Sequence, residues 1–363
     1  MKICYLSDAN SIHTKKLCDF FKNRGYDIYV ISLNPGKIDG VCVYTLDYDL
    51  TETRKNSSIK KLKYLSSITK VKNIIYKIKP DIVHAHYATS YGLLGALSKF
   101  HPFILSVWGS DVFDFPQNGI LKKIMLKYNL KKADRILSTS KVMAIETNKY
   151  TDKKIEVTPF GVNLNLFKPS EDKYRSKDCI TIGTIKTLEE KYGIEYLIRA
   201  FGKLHKKYPD KKLKLEIGGR GSQRDYLENL AVDLGIKDEI RFLGFLDRKQ
   251  VAEAFNRFDI AVFPSTLDSE SFGVAVVEAQ SCGTPVIVSD VGGLPEATDP
   301  NVSSILVKKK NSDDIELALE KLILDRNLRI LMGKNARKFV EDNFNVEDNF
   351  NKIDIIYKNV VNS

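Results

Sequence analysis

Short apolar runs alternate with helix-patterned segments along almost the whole chain, and this order of elements constrains the fold before any single residue does. Lys2–Ser7 is the first apolar run. A helical pattern follows from Ile12 to Arg24, with Leu17, Phe20 and Phe21 on one face and Gly25 as its stop. Strands are expected at Asp27–Leu33, Asp81–His86, Phe103–Trp108, Arg135–Ser138 and Ile155–Pro159, with helices at Ser90–Phe100, Gly119–Lys132 and Lys141–Lys149. Strands separated by helices make βαβ units, hence parallel sheets covered on both faces. The periodicity stops at Asn165–Asp178, where proline and charge accumulate as in a linker, and a second alternation begins at Cys179–Thr184. Its later strands are expected at Leu213–Ile217, Ile240–Leu243, Ile260–Phe263, Thr284–Ser289 and Ser304–Val307. Three helices, Ser312–Leu324, Leu328–Asn343 and Val346–Val361, close the chain. The expectation is an α/β protein of two doubly wound domains facing each other across a cleft, with ligands at the carboxyl ends of the strands.

Composition narrows the class. The 363 residues are enough for two such domains, and no apolar run approaches the roughly 20 residues of a membrane span. The chain opens on a strand-like segment rather than a leader, so neither an integral membrane protein nor a secreted one is expected. Cys4, Cys18, Cys42, Cys179 and Cys282 lie far apart and form no C-x-x-C pair, which argues against a cysteine-built zinc site or a disulfide framework and fits a reducing cytoplasm. Charge is shared unevenly. Residues 1–170 carry 27 Lys+Arg against 14 Asp+Glu, a balance of +13, while the remainder carries 30 against 32, or −2. An anionic partner is therefore expected on the first half. Arg54–Lys79 interleaves basic residues with Ile59, Leu62, Leu65, Ile68, Ile75 and Ile78 at helical spacing, which suits a helix lying on an anionic membrane. A packed helix with a lysine-rich outer face gives the same pattern.

The most informative stretch is Phe263–Glu296, FPSTLDSESFGVAVVEAQSCGTPVIVSDVGGLPE. A strand ends at Phe263 and a helix is expected from Phe272 or Gly273 to Cys282, with Gly283 as its stop. That helix is apolar nearly all round, so it should be buried, and Glu278 within it needs polar partners. Glu270 stands eight residues earlier, on the incoming loop. Between the two acids, the N–H groups of Phe272, Gly273 and Val274 at the helix start make an anion site, with Gly273 allowing close approach. A phosphate flanked by two carboxylates suits a sugar nucleotide, one acid for a ribose and one for a hexose. The alternative reading, a capping Glu270 and a structural Glu278, stays open from these residues alone.

The spacing of Glu270 and Glu278 resembles the E-x7-E motif of retaining glycosyltransferases, and PS…E-FG…EA…GTPVI-S…GG…E resembles glycosyltransferase family 4. HAHY at 84–87, SVWGSD at 106–111, PFGVN…FKP at 159–169 and GTIKTLEEKYGIEYLIRAF at 183–201 extend the likeness over nearly the whole chain. The resemblance implies the GT-B fold: a Rossmann-like acceptor-binding domain over 1–168, a Rossmann-like sugar-nucleotide domain over 169–345, and a helix over 346–363 crossing back to the first. It implies that Glu278 binds the ribose hydroxyls, Glu270 the transferred sugar, and Phe272, Gly273 and Val274 the diphosphate. Lys191 stands where the family places a basic residue on the diphosphate. The family's second cation usually follows the glycine directly; here Thr184 holds that place and Lys186, two residues on, is the expected substitute. Gly218, Gly219 and Arg220 resemble the turn near the nucleotide. No metal or other cofactor is implied, since lysines rather than a cation meet the leaving diphosphate.

In the first half, Asp8–His13 replaces the glycine-rich loop common in the family, leaving Asn10 and His13 as candidates. The family's His-Gly pair is here Trp108-Gly109, followed by Ser110 and Asp111, so no general base transfers to that position. His84 and His86 end a strand and are candidates for acceptor contact, His86 preferred; Asp111 joins them. Asp47-Tyr48-Asp49 matches the metal motif of the other glycosyltransferase fold and is read as accidental. No G-x-G-x-x-G follows the first strand and no P-loop is present. The expected activity is a retaining, metal-independent transfer of a hexose or N-acetylhexosamine from a UDP- or GDP-sugar to a glycan or polyprenyl-linked glycan, as in surface-polysaccharide assembly, in the cytoplasm or on the inner membrane face. The alternatives are a GT-B epimerase, a transferase for small soluble sugars, and a basic binding protein. Nucleic acid is not an expected partner, because aromatic and basic residues do not interleave as in a recognisable binding module.

Overall fold

A computed structural model describes residues 1–46, 58–176 and 178–362, with side chains in the helix Ser58–Ile78 described from Ser67 onward. Asp47, Tyr48 and Asp49, and the Arg54–Ser57 start of the basic segment, lie outside the described residues. The chain folds as two compact units, residues 1–160 with 347–363, and residues 161–346.

The first unit is built on seven parallel strands: β1 Lys2–Leu6, β2 Asp27–Ser32, β3 Cys42–Thr45, β4 Ile82–His86, β5 Phe103–Val107, β6 Arg135–Ser138 and β7 Ile155–Val157, in the order β3-β2-β1-β4-β5-β6-β7. The second holds six: β8 Cys179–Ile185, β9 Lys212–Gly218, β10 Ile240–Gly244, β11 Ile260–Phe263, β12 Val286–Ser289 and β13 Ser304–Val307, in the order β10-β9-β8-β11-β12-β13. Pairing is parallel throughout both sheets, for example Ile3 with Ile82 and Ala261 with Gly183. The central strands are buried along their whole length, as β4 (IVHAH), β5 (FILSV) and β11 (IAVF) show, because crossover helices cover both faces. In each sheet the winding reverses once, between β1 and β4 and between β8 and β11. A crevice opens beyond the carboxyl ends of the strands at such a switch point, and it is where ligands of open α/β sheets bind.

Local chemistry sets the helix ends. Ser11 accepts from Thr14 N to cap Ile12–Asn23, and Asp247 and Gln250 form a reciprocal capping box at Arg248–Arg257. Asp325 accepts from Leu328 N at 2.8 Å, so the penultimate helix begins at Arg326, two residues before the periodicity predicts. The helix expected from Phe272 or Gly273 spans Val274–Ser281, with Gly273 as its N-cap at φ 86°. Pattern reading missed β3, which is short and only half-buried, and the brief helix Ser110–Phe113.

The join between the units also falls earlier than 168/169. Val162 bridges Asn345, and the carbonyl of buried Phe167 accepts from Ser281 Oγ at 2.6 Å and Arg337 Nη1 at 2.8 Å, so this stretch is tied into the second unit. The closing helix Val346–Val361 belongs to the first unit from Glu347 onward and buries Phe350, Ile353, Ile356, Tyr357 and Val360. Its anchors are polar as well as apolar. Tyr26 donates to Asp354 Oδ1 at 2.6 Å, with Lys358 and Arg24 at 2.8 and 3.5 Å from Oδ2. Burial works to raise the Asp354 carboxyl, and Lys358, Tyr26 and Arg24 together hold it below its ordinary value. Tyr357 Oη meets His84 Nδ1 at 2.5 Å at the end of β4.

Two substitutions at Tyr357 test this anchor. Tyr357→Ala empties a fully buried aromatic site and should lower stability by about 3–5 kcal/mol. Tyr357→Phe keeps the ring but strips His84 Nδ1 of its partner, and should cost about 1–3 kcal/mol. Urea unfolding followed by far-ultraviolet circular dichroism measures both.

Candidate functional site

In the second unit the polar groups gather at the β8/β11 switch point. Lys186 is the first residue beyond β8, and its Nζ lies 3.1 and 2.9 Å from the two carboxylate oxygens of Glu270, which arrives on the loop after β11. Both side chains are largely buried, at 18% and 13% exposure, so the pair is much less screened than a surface ion pair. Ser265 Oγ donates to Glu270 Oε2 at 3.2 Å. Lys191 joins them through Tyr192, whose ring carries Lys186 Nζ 4.7 Å and Lys191 Nζ 5.0 Å from its centroid. The sequence therefore spaces the two lysines five apart, and one aromatic ring brings their charges together.

Thr184, where the family's cation would stand, is inside β8 with its side chain fully buried. A lysine there would put an ammonium in the core. Two residues later the strand has ended and the side chain reaches Glu270.

Gly273 gives the helix Val274–Ser281 its left-handed cap, and a Cβ there would press on Leu294 Cδ2. The first-turn N–H groups of a helix have no partner in its own ladder, and here the first turn follows directly on Glu270 and the buried Phe272. Phe272 packs edge-on against Phe344 at 5.3 Å, fixing the approach to the helix. Glu278, one turn inside, is buried at 7% exposure and meets Arg248 Nη1 at 3.2 Å. The Arg248 guanidinium lies 5.0 Å from the Phe167 ring centroid, and its buried Nη2 donates to no group among the described residues. Gly219 holds φ 133° against the Lys186 carbonyl, where any Cβ would collide. The turn thus keeps Lys186 in place from behind. The Arg220 guanidinium lies 5.6 Å from the centroid of the exposed Phe245 ring.

In the first unit the β1/β4 switch point carries a histidine and aromatic cluster. His84 is fully buried and both ring nitrogens are used, Nδ1 by Tyr357 and Nε2 by Ser106 Oγ at 2.8 Å. The sequence offers His84 for acceptor contact; the structure commits it to holding the closing helix. His86 differs. Its Nδ1 meets Ser7 Oγ at 2.9 Å and its ring stacks on Trp108 at 4.7 Å, while Nε2 has no hydrogen-bond partner among the described residues. His13 stacks on Phe160 at 3.8 Å beside the same Trp108. Asp111 is likewise drawn inward. Fully buried, it accepts from the backbone N–H groups of Ala88, Trp108 and Gly109 at 2.7–3.2 Å, which pins the turn after β5. Burial raises its carboxyl above the ordinary value against the pull of those donors. Asn10 is exposed, with Nδ2 on the Pro35 carbonyl at 2.7 Å.

Sequence reading missed Arg248, Ser265 and Tyr192. Arg248 and Glu278 are thirty residues apart on different helices, and no local period links them. Ser265 and Tyr192 each adjoin a recognised residue, so their proximity in sequence was a usable signal.

Two family models match the chain in succession, glycosyl transferase 4-like over residues 2–140 and glycosyl transferases group 1 over residues 168–339. An uncharacterized glycosyltransferase of Methanocaldococcus jannaschii is 26% identical over 96% of this chain and 93% of its own length. A D-inositol 3-phosphate glycosyltransferase of Corynebacterium jeikeium is 34% identical over 53% of this chain, and the chain spans about half, 49%, of that relative. Among solved structures, Anabaena HepE in complex with UDP superposes with a TM-score of 0.81 at 19% identity, covering 99% of this chain and 100% of the other. With two parallel α/β sheets of seven and six strands, the fold is GT-B.

Arg248→Ala leaves the buried Glu278 carboxylate without its cation and should cost about 1–3 kcal/mol, with Arg248→Lys recovering part of it; thermal unfolding reads both. A pH effect belongs to the first unit. Burial pushes the His84 imidazole down to about 3, and burial, with His84 and His13 adding to it, holds His86 well below its ordinary value. The unfolded chain takes up those protons near pH 6.5 and the folded one does not, so their contribution is complete above 6.5 and declines as pH falls toward 3. Urea midpoints at pH 7 and 5 should show this loss, and His84→Gln should flatten it.

Proposed function

The chain belongs to the family 4-like, group 1 glycosyltransferases, and from that premise we propose that it is a retaining, metal-independent enzyme that transfers a hexose or N-acetylhexosamine from a nucleotide sugar to a glycan or polyprenyl-linked glycan. The observation that carries this reading is the Lys186–Glu270 pair, with Lys191 beside it, next to the start of the helix Val274–Ser281 at the switch point of the second sheet. Lys186, Lys191 and the N–H groups of Gly273 and Val274 meet the diphosphate, Glu270 the transferred sugar and Glu278 the ribose. The UDP bound by Anabaena HepE supports a UDP-sugar as donor.

Chemistry then follows from charge. As the bond between the anomeric carbon and the diphosphate oxygen breaks, negative charge grows on the diphosphate and the two lysines stabilise it. The acceptor hydroxyl attacks from the same face, and its proton passes to the departing phosphate oxygen, so configuration is retained without a protein nucleophile. Glu270 steadies the sugar by accepting from its hydroxyls while positive charge develops on the ring. When the donor arrives, Lys186 turns from Glu270 to the diphosphate. His86, with Nε2 as its remaining polar atom, and His13 serve the acceptor in the first unit. The +13 balance of residues 1–170 supports an acceptor presented at an anionic membrane, on its cytoplasmic face.

A thermal-shift series with UDP, GDP, ADP and their sugar conjugates, with and without EDTA, tests this. One nucleotide at 100 times its dissociation constant should stabilise by about 2.7 kcal/mol, EDTA should leave the shift intact, and Glu278→Ala should remove it. Glu270→Ala should keep the shift but lower kcat about 10²–10³-fold. Nucleotide release only when an acceptor is added marks transfer, whereas conversion of one sugar nucleotide into another with no net release would mark an epimerase. No shift with any nucleotide would refute the donor site.

A further inference from the structure

The basic segment singled out by the sequence does not present its described aliphatic residues to solvent, and Tyr76, at 79% exposure, is the ring it leaves outside. In the helix Ser58–Ile78, Val71, Ile75 and Ile78 are buried in the first unit's core and Ile68 and Ile74 pack against it, while Lys70, Lys72 and Lys77 face outward. A different helix combines exposed aliphatic side chains with lysines. In Ile120–Lys132, Leu126, Asn129 and Leu130 fix the C-terminal half in the fold, Asn129 Nδ2 donating to the Ala88 carbonyl at 2.8 Å. The other end leaves Ile120, Leu121 and Ile124 exposed at 69%, 78% and 55%. Lys123, Lys127, Lys131 and Lys132 are exposed on the same helix, and residues 115–133 contain no Asp or Glu. Lys153 adds another ammonium at the helix end, on the Lys131 carbonyl at 2.7 Å. Asp134, the next acid along, is engaged by His101 and by Phe103 N.

We propose that Ile120, Leu121 and Ile124 insert into an anionic lipid surface while the lysines of the same helix lie against its headgroups. Aliphatic side chains gain from leaving water only if something apolar receives them, and lysines flanking them gain only if the receiver is anionic. An anionic bilayer meets both demands, each lysine near it strengthening binding about fivefold. A second copy of this chain meets one, since an isologous contact would set these lysines against their own equivalents. A nucleic acid also meets one, leaving the aliphatic residues unused. The surface follows directly on the His86 cluster: Trp108, on which His86 stacks, is separated from Ile120 by only Gly109 to Gly119. A lipid-linked acceptor held at this helix is thus presented on the segment that leads from Trp108. The assignment rests on the lipid-linked acceptor reading above.

Co-sedimentation of the full chain with phosphatidylcholine vesicles, with and without phosphatidylglycerol, tests it. The protein should bind the anionic vesicles at least tenfold better than neutral ones. The combined variant Ile120→Ser, Leu121→Ser, Ile124→Ser should lose about tenfold or more of that binding, at an unchanged melting temperature and with transfer to a water-soluble acceptor intact. Lys70→Glu, Lys72→Glu and Lys77→Glu together should bind nearly as the native chain does. The proposal is overturned if the serine variant binds like the native chain, if the variant at 70, 72 and 77 alone loses binding, or if the serine variant turns a native dimer into a monomer. Absence of vesicle binding by the native chain would overturn both this assignment and the membrane part of the acceptor reading, whereas loss of transfer to the soluble acceptor would count against the transferase reading.

Discussion

A parallel sheet wound in both directions from its first strand has one seam that no crossover helix closes, and the polar chemistry of this chain depends on that seam. In each unit the loops that leave the two strands beside the seam diverge to opposite faces, so side chains at the strand ends meet without a helix between them. Lys186 and Glu270 meet there in the second unit, and Ser7 and His86 in the first. Elsewhere along the same strands a charge would be buried among aliphatic residues, and the fully buried Thr184, last but one in β8, is uncharged.

The second-unit pair has consequences beyond holding a loop. A lysine and a glutamate at 18% and 13% exposure stabilise each other only while both are charged and close, so a ligand that takes the lysine must also satisfy the glutamate. A diphosphate joined to a hydroxyl-rich sugar does both at once. Free nucleotide offers only the anionic half, so on the proposed reading the pair would favour donor over free nucleotide. Arg248 acts similarly on Glu278, meeting its buried carboxylate at 3.2 Å and orienting it.

The first unit spends its polar groups differently. His84 and Asp111 look from the sequence like contact residues, yet the fold uses one to seat the closing helix and the other to gather three backbone N–H groups. His86 and His84 are two residues apart on one strand and nearly equally buried, and only their neighbours separate them: Tyr357 and Ser106 engage His84 on both nitrogens, whereas Ser7 takes one nitrogen of His86.

The sequence by itself determined the two α/β sheets, the strand and helix boundaries to within a few residues, and the Phe263–Glu296 block with its two acids. These are properties of local periodicity, caps and glycine stops, which act over a turn or a strand. The short, half-buried β3 carried too weak a pattern to be read, and the join near Gly161 was misplaced because a buried Phe167 carbonyl, not composition, assigns that stretch. Tertiary structure alone decided which polar groups meet: Lys186 with Glu270 across 84 positions, Arg248 with Glu278 across thirty, Tyr357 with His84 across 273. It also decided which basic helix turns its aliphatic residues outward, since Ile75 and Ile120 sit in similar lysine-rich surroundings in sequence and only packing against the sheet buries the first and exposes the second.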